Sequence, residues 1–269
     1  HNLKNCWWII DYNRQSLDGI VYEKLFEKII NLFELMDWNV EILKYGSKLQ
    51  KLKQSKSGRK ILKWIDDCPN DLYSALTYQG GKYWRKTLLE VFGNDQETVN
   101  LVQSFNDLEL NNLMTNLAGH DMETLETGFS KYINSNKPTC FICYTVKGFG
   151  LPLAGHKDNH SGIMNNNQFN EYKKLMKIRE GQEWSKTEGI ELNINELDLI
   201  IKSNPLSKCN REFSEVIPIH PLKEISFNKF ISTQEAFGKI MNEIGKVKNS
   251  FTNRIITTSP DVTVSTSLG

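Results

Sequence analysis

Apolar residues along this chain come in three kinds of run. Trp7, Trp8, Ile9 and Ile10 are consecutive, with no alternation, which predicts a strand covered on both faces, as in the middle of a parallel sheet. The run stops in Asp11-Tyr12-Asn13-Arg14-Gln15 and a turn at Asp18-Gly19. Tyr22, Leu25, Phe26, Ile29, Leu32, Phe33 and Met36 then recur at helical spacing, so residues 20–36 read as a helix with those side chains inward. Val40, Ile42 and Lys44 alternate with polar neighbours in a second strand over 38–46. Strand, helix and strand make one right-handed crossover unit of a parallel sheet.

From Lys44 to Lys63 there are eight basic residues and no acid. Leu49, Leu52, Ile61, Leu62 and Ile65 supply an apolar side, so the charges read as a solvated helical face rather than a nucleic-acid patch. Residues 67–118 continue as short helices, with start signals at Asn94 (Glu97 three later) and Asn106 (Glu109 three later). Their inward positions are Val99, Leu101, Val102, Phe105, Leu108, Leu110, Leu113 and Leu117. Asp121 caps a further helix with Met122, Leu125, Phe129 and Tyr132 inside, and Cys140–Val146 is the third strand. One more amphipathic helix, from about Asn170 to Gln182, uses Phe169, Tyr172, Leu175, Met176 and Ile178. Residues 183–230, with Pro205, Pro218 and Pro221, read as an interdomain linker. Ser232 with Glu235 opens a helix bearing Phe237, Ile240, Met241 and Ile244, and Arg254 to Asp261 begins a new strand. The expected fold class is α/β, with a first parallel-sheet domain over 1–182 carrying a helical insert, and the start of a second α/β domain over 231–269.

Composition narrows the functional classes. Hydrophobic residues make up 39% and aromatics 10%, enough for a real core. The net charge of +1, from 33 basic and 32 acidic residues, offers no global field for nucleic acid or an anionic membrane. A small molecule or another protein is the expected partner, and no apolar run approaches the length of a membrane span. Five cysteines, an odd number, point to reduced thiols in a cytoplasmic setting. Cys140 and Cys143 match C-x-x-C, but three positions apart on a strand they face opposite sides, and no second pair completes a zinc site. The chain begins at His1 without Met a few residues before a strand, and is read as an internal piece of a longer protein.

Candidate chemistry sits at strand ends, where ligands of open α/β sheets collect. Asn13 offers an amide oxygen and Gln15 a main-chain carbonyl, hard neutral donors suited to Mg2+ when diphosphate oxygens complete its octahedron. An Asn there also simply ends a strand. Lys147 leaves the third strand on the same sheet edge, where an ammonium meets a diphosphate or a substrate carboxylate; a generic surface role is the alternative. Residues 147–168 hold four Gly, one Pro and two His with little periodicity, a long loop of the functional kind. His160 suits proton transfer or carboxylate binding, since imidazoles titrate near neutrality. A metal pair of His156 and His160 is opposed by Gly155, Gly162 and Pro152, which break the helix it needs. His120 reads as part of a helix-capping turn.

Asp-Tyr-Asn-Arg-Gln-Ser-Leu-Asp-Gly resembles the second half of the thiamine diphosphate motif of the homodimeric E1 component of pyruvate dehydrogenase and, more loosely, of transketolase. Trp38-Asn-Val, Gly80-Gly-Lys-Tyr-Trp-Arg-Lys-Thr-Leu-Leu-Glu-Val-Phe-Gly93, Leu117-Ala-Gly-His-Asp121 and Thr145-Val-Lys-Gly-Phe-Gly150 follow in the E1 order. The length of the insert between Gly19 and Lys147 favours E1 over transketolase. The resemblance implies a thiamine diphosphate-binding domain over 1–182, a linker over 183–230 and the start of the pyrimidine-binding domain over 231–269. It implies Asn13 and Gln15 as Mg2+ ligands, Lys147 beside the cofactor, and His160 as the histidine of the mobile inner loop, with His156 as its substitute. Implied too are a cytoplasmic homodimer, a 2-oxo acid substrate, most simply pyruvate, and acetyl transfer to a lipoyl group on an E2 subunit. The family's metal-binding Asp lies upstream of the motif and its activating Glu in the second domain, neither within these residues, so the chain alone is expected to be inactive. Transketolase-type ketol transfer, or a non-catalytic assembly subunit of the same fold, is the rival.

Overall fold

The computed structural model describes residues 4–16, 19–20, 25–205, 225–227 and 230–258. They fall into two compact units, His1–Glu191 and Leu192–Gly269. The first unit is an α/β domain. Strands β1 (Trp7–Tyr12), β4 (Asn39–Leu43) and β5 (Thr139–Tyr144) form a parallel sheet in the order β1-β5-β4, while β2 (Gln15–Ser16) and β3 (Gly19–Ile20) make a small antiparallel hairpin after β1. Every residue of β5 is buried. Its alternate side chains feed two cores: Cys140, Ile142 and Tyr144 enter a large cluster on one face, Phe141 and Cys143 a small one on the other.

The small cluster is closed by Leu43, Ala118 and the Leu125, Phe129 and Tyr132 side of α8 (Met122–Ser130). The large one takes Phe26, Ile29, Ile30 and Phe33 of α1 (Leu25–Leu35) and the helical insert. That insert comprises α2 (Ser47–Leu52), α3 (Lys56–Asp67), α4 (Asn70–Gln79), α5 (Gly81–Phe92), α6 (Gln96–Gln103) and α7 (Asp107–Met114). Its centre is Trp84, fully buried and set edge-on against Trp64 and Tyr73 at 6.2 and 5.3 Å between ring centroids. Arg85 fastens α5 to the end of α6 and the start of α7 by donating to the Val102 and Phe105 carbonyls and to Asp107.

Several expectations are corrected. The strand at Trp7 is an edge of the sheet among the described residues rather than its middle, and Trp8 and Ile9 are 57% and 55% exposed. Its unbroken apolar run is half covered: Trp7 meets Phe129 and Phe141 on one face, Trp8 meets Phe33 on the other. In α1 the inward residues are Phe26, Ile29, Ile30 and Phe33, while Leu25, Leu32 and Met36 are exposed; Tyr22 lies outside the described residues. Ile42 is exposed, on the other edge strand among the described residues, while Leu43 is buried against Ala118 and the inner side of α8. Leu108 and Met122 are exposed, each standing in the first turn of its helix, where the stripe has not yet turned inward. The α6 cap is Asp95, not Asn94, whereas Asn106 and Glu109 form the expected capping box of α7. The next helix, α9, runs Asn166–Leu175, earlier than expected, started by an Asn165–Gln168 capping box, with Phe169, Leu175 and Met176 exposed.

In the second unit, α10 (Ile194–Ser203) opens with an Asn193–Glu196 capping box inside the stretch read as linker. Its box was legible in the sequence and its Ile194, Leu199, Ile200 and Ile201 are exposed. Ser232 accepts from the Glu235 amide to start α11 (Thr233–Lys246). Residues 255–258 pair in no strand, contrary to expectation, and the rest of that reading lies outside the described residues. Among the described residues no helix is long and apolar enough to cross a membrane.

Candidate functional site

The adjacent parallel strands β1 and β5 end side by side, Tyr12 opposite Tyr144. Beyond them the chain turns, and Asn13, Arg14, Gln15, Thr145, Val146 and Lys147 line one void with α4. The turn after β1 is set locally. Asn13 Oδ1 accepts the Gln15 amide at 3.0 Å, an Asx turn, and Arg14 takes a left-handed φ of 64° to make it.

The opposite wall is the loop after β5. Gln15 Nε2 donates to the Gly155 carbonyl at 3.0 Å, and the Asn159 side chain and the Gly155 amide both donate to the Lys147 carbonyl. Gly155 has φ 75°, and a Cβ there would stand 2.7 Å from the Ser74 carbonyl. Only glycine lets this loop lie so close to α4. The void left between is about 10 Å3, room for about one water. Gln15 Oε1 is buried there without a partner.

Asn13, Gln15 and Lys147 thus meet at one place. His160 does not line it: it is exposed, closing a 3-10 turn at Lys157–His160. His156 adjoins Gly155, its ring 4.5 Å from that of Tyr78 and its Nδ1 accepting the Asp158 amide. Four contributors were missed from sequence. Tyr73, Ser74 and Thr77 come from a helix that read as packing alone, and Arg14 read as one more polar turn residue although it is only 4% exposed.

His120 sits behind this edge. Its Nε2 accepts the Val146 amide at 2.8 Å and its ring stacks on Phe149 at 3.9 Å. Burial lowers its pKa, with Asp11 opposing. Accepting at Nε2 requires the neutral ring carrying its proton on Nδ1. NMR of the ring nitrogens is therefore expected to show that tautomer and a titration below 6.5. Since the folded pKa is depressed, His120 contributes stability that is complete above about pH 6.5 and lost as the pH falls through the folded value. A titration at or above 6.5 contradicts the geometry.

Magnesium and a diphosphate can be tested against this edge. Neutral oxygens, an unpartnered amide oxygen and a lysine fit in chemistry, while the space between Gln15 and Gly155 fits only once their hydrogen bond opens. Among the described residues no three His, Cys, Asp or Glu gather to hold a metal by themselves.

Fold and site together define an α/β protein with a polar site at the carboxyl ends of parallel strands. No family model matches the chain. It is similar to proteins named pyruvate dehydrogenase E1 component: that of Buchnera aphidicola subsp. Schizaphis graminum is 32% identical over 161 residues, covering 58% of this chain and 18% of the relative. That of Escherichia coli is 28% identical over 160 residues, again 58% and 18%. That of Corynebacterium glutamicum is 26% identical over 154 residues, 56% and 16%. The chain thus resembles a piece of this enzyme, matching less than a fifth of the length of these relatives.

Proposed function

We propose that this chain carries the diphosphate-binding part of a thiamine diphosphate-dependent 2-oxo acid dehydrogenase of the E1 type, with pyruvate as substrate. The meeting of Asn13, Gln15 and Lys147 at one strand-end void, in a chain similar to pyruvate dehydrogenase E1 components, carries this reading. Thiamine diphosphate, when bound, would supply the electron sink that lets CO2 leave a 2-oxo acid. Asn13 Oδ1 and the Gln15 main-chain oxygen would hold Mg2+, and the Lys147 ammonium would offset the anionic charge beside it. His160 would bind the substrate carboxylate or move a proton once its loop closes over the site, and His156 is its substitute. Acetyl transfer to a lipoyl-bearing E2 subunit, a homodimer and a cytoplasmic setting complete the proposal.

Calorimetric titration with thiamine diphosphate tests it. Binding is expected with Mg2+, absent with EDTA, and roughly 10-fold or more weaker in Asn13→Ala, the usual scale for a lost metal-site group. Binding that ignores Mg2+ and the Asn13 substitution, or no binding at all, overturns the reading. Pyruvate decarboxylation by the 269 residues alone is expected to be absent.

A further inference from the structure

We propose that Arg14 is an oxyanion-binding residue of this strand-end site, its guanidinium donating to a phosphoryl group of the diphosphate. The proposal deepens the reading above and rests on it. Three observations on this one residue carry it.

Arg14 holds a left-handed φ of 64°, a conformation that costs a non-glycine residue free energy and recurs where function needs it. The turn sends its side chain inward, to the void shared with Asn13, Gln15 and Lys147 and to a neighbouring cavity of about 160 Å3. Although 4% exposed, its Nε and Nη1 have no hydrogen-bond partner. A buried guanidinium normally ends on a carboxylate or a carbonyl. Two acids, Asp66 and Asp67, line the neighbouring cavity with Arg14, and Asp66 is engaged by Lys44 and Tyr45.

The third observation is how the group is held. Its central carbon lies 3.9 Å from the centroid of the Tyr73 ring and 5.9 Å from that of Tyr144. Such cation–π contact holds the guanidinium in place while consuming none of its N–H groups. A planar, oriented fork with free donors beside a lysine matches a phosphoryl oxyanion, which Arg recognises by paired N–H donors. A void of about 10 Å3 admits such an anion only after Gln15 releases the Gly155 carbonyl.

If stacking on Tyr73 were the whole role, a methionine of similar reach would serve. Inorganic pyrophosphate is therefore titrated into the full 15N-labelled chain, following the arginine Nε–H signals. In the unsubstituted chain the Arg14 signal is expected to move. Arg14→Met, with an unchanged circular dichroism spectrum, is expected to bind roughly 10-fold or more weakly, and Arg14→Lys in between. An Arg14 signal that stays fixed while pyrophosphate binds overturns the proposal, and so does equal binding by Arg14→Met. Should that variant not fold, the signal in the unsubstituted chain decides alone. A parallel titration with thiamine diphosphate and Mg2+ separates the two readings. Equal binding of it by both chains removes the role of Arg14 and leaves the cofactor reading standing. Pyrophosphate taken through Arg14 without thiamine diphosphate binding keeps the oxyanion role and removes the cofactor reading. Binding of neither removes both.

Discussion

Replacing Trp84 by Ala is expected to destabilise the domain by about 3–5 kcal/mol, the range for deleting a buried indole. The side chain is fully buried between Trp64 and Tyr73, and neighbours on several insert helices cannot all close over the gap. The effect should reach the site as well. Tyr73 donates its hydroxyl to the Met114 carbonyl at 2.7 Å and carries the Arg14 guanidinium on its ring. Burial pushes the Tyr73 phenol up to about 12, with Arg14 pulling the other way. Losing Trp84 removes a packing contact of the Tyr73 ring on which Arg14 rests. Urea unfolding measures the first effect, and broadening of the Arg14 Nε–H signal the second. Trp84→Phe separates size from polarity. The indole Nε1 has no partner, so Phe removes an unsatisfied donor while keeping most of the volume, and should cost clearly less than Ala. Equal losses for the two variants would mean that packing is not what Trp84 supplies.

Asp121→Ala is expected to cost roughly 2–4 kcal/mol, because charge-assisted hydrogen bonds are individually the stronger kind and the donors left behind lie half-buried. One carboxylate oxygen accepts the Ser47 amide and hydroxyl and the Asn116 side chain; the other accepts the Thr124 amide and hydroxyl. Asp121 therefore caps α8 and also ties together the two points where the insert leaves and rejoins the sheet domain. Asn116 completes the junction by accepting the Lys48 amide at its side-chain oxygen and the Gly46 amide at its main-chain carbonyl. Burial works against ionisation of Asp121, yet the bonds from Ser47, Thr124 and Asn116 outweigh it and hold its pKa well below the ordinary carboxylate range. With a depressed folded pKa, the stabilisation is complete above about pH 4 and is lost as the pH falls through the folded value. Comparing Asp121→Asn with the unsubstituted chain in urea at pH 7 and again in strong acid checks the sign. The difference should shrink in acid, and a difference independent of pH would sink the account.

Residues 7 to 144 show how much was legible beforehand. The three parallel strands, the capped helices at Asn106 and Asp121 and the opposite-facing Cys140 and Cys143 follow from spacing, caps and period. The coverage of Trp8 and Ile9 did not, because an apolar run reports what a segment tends to bury and not what stands beside it. Shifts of a turn, as at α9, arose where an Asn–Gln box that starts the helix four residues earlier outcompeted the apolar stripe as the start signal.

The sequence by itself determined the α/β class, the strand-end position of Asn13, Gln15 and Lys147, and the glycine-rich loop that follows, since each depends on neighbours within a few residues along the chain. Only the tertiary structure decided that α4 of the insert and Gly155 close on that turn, that His160 stays outside the void, and that Arg14 is buried on Tyr73. Those contacts join positions 59 to 140 residues apart, and no local pattern encodes a partner that arrives from so far along the chain.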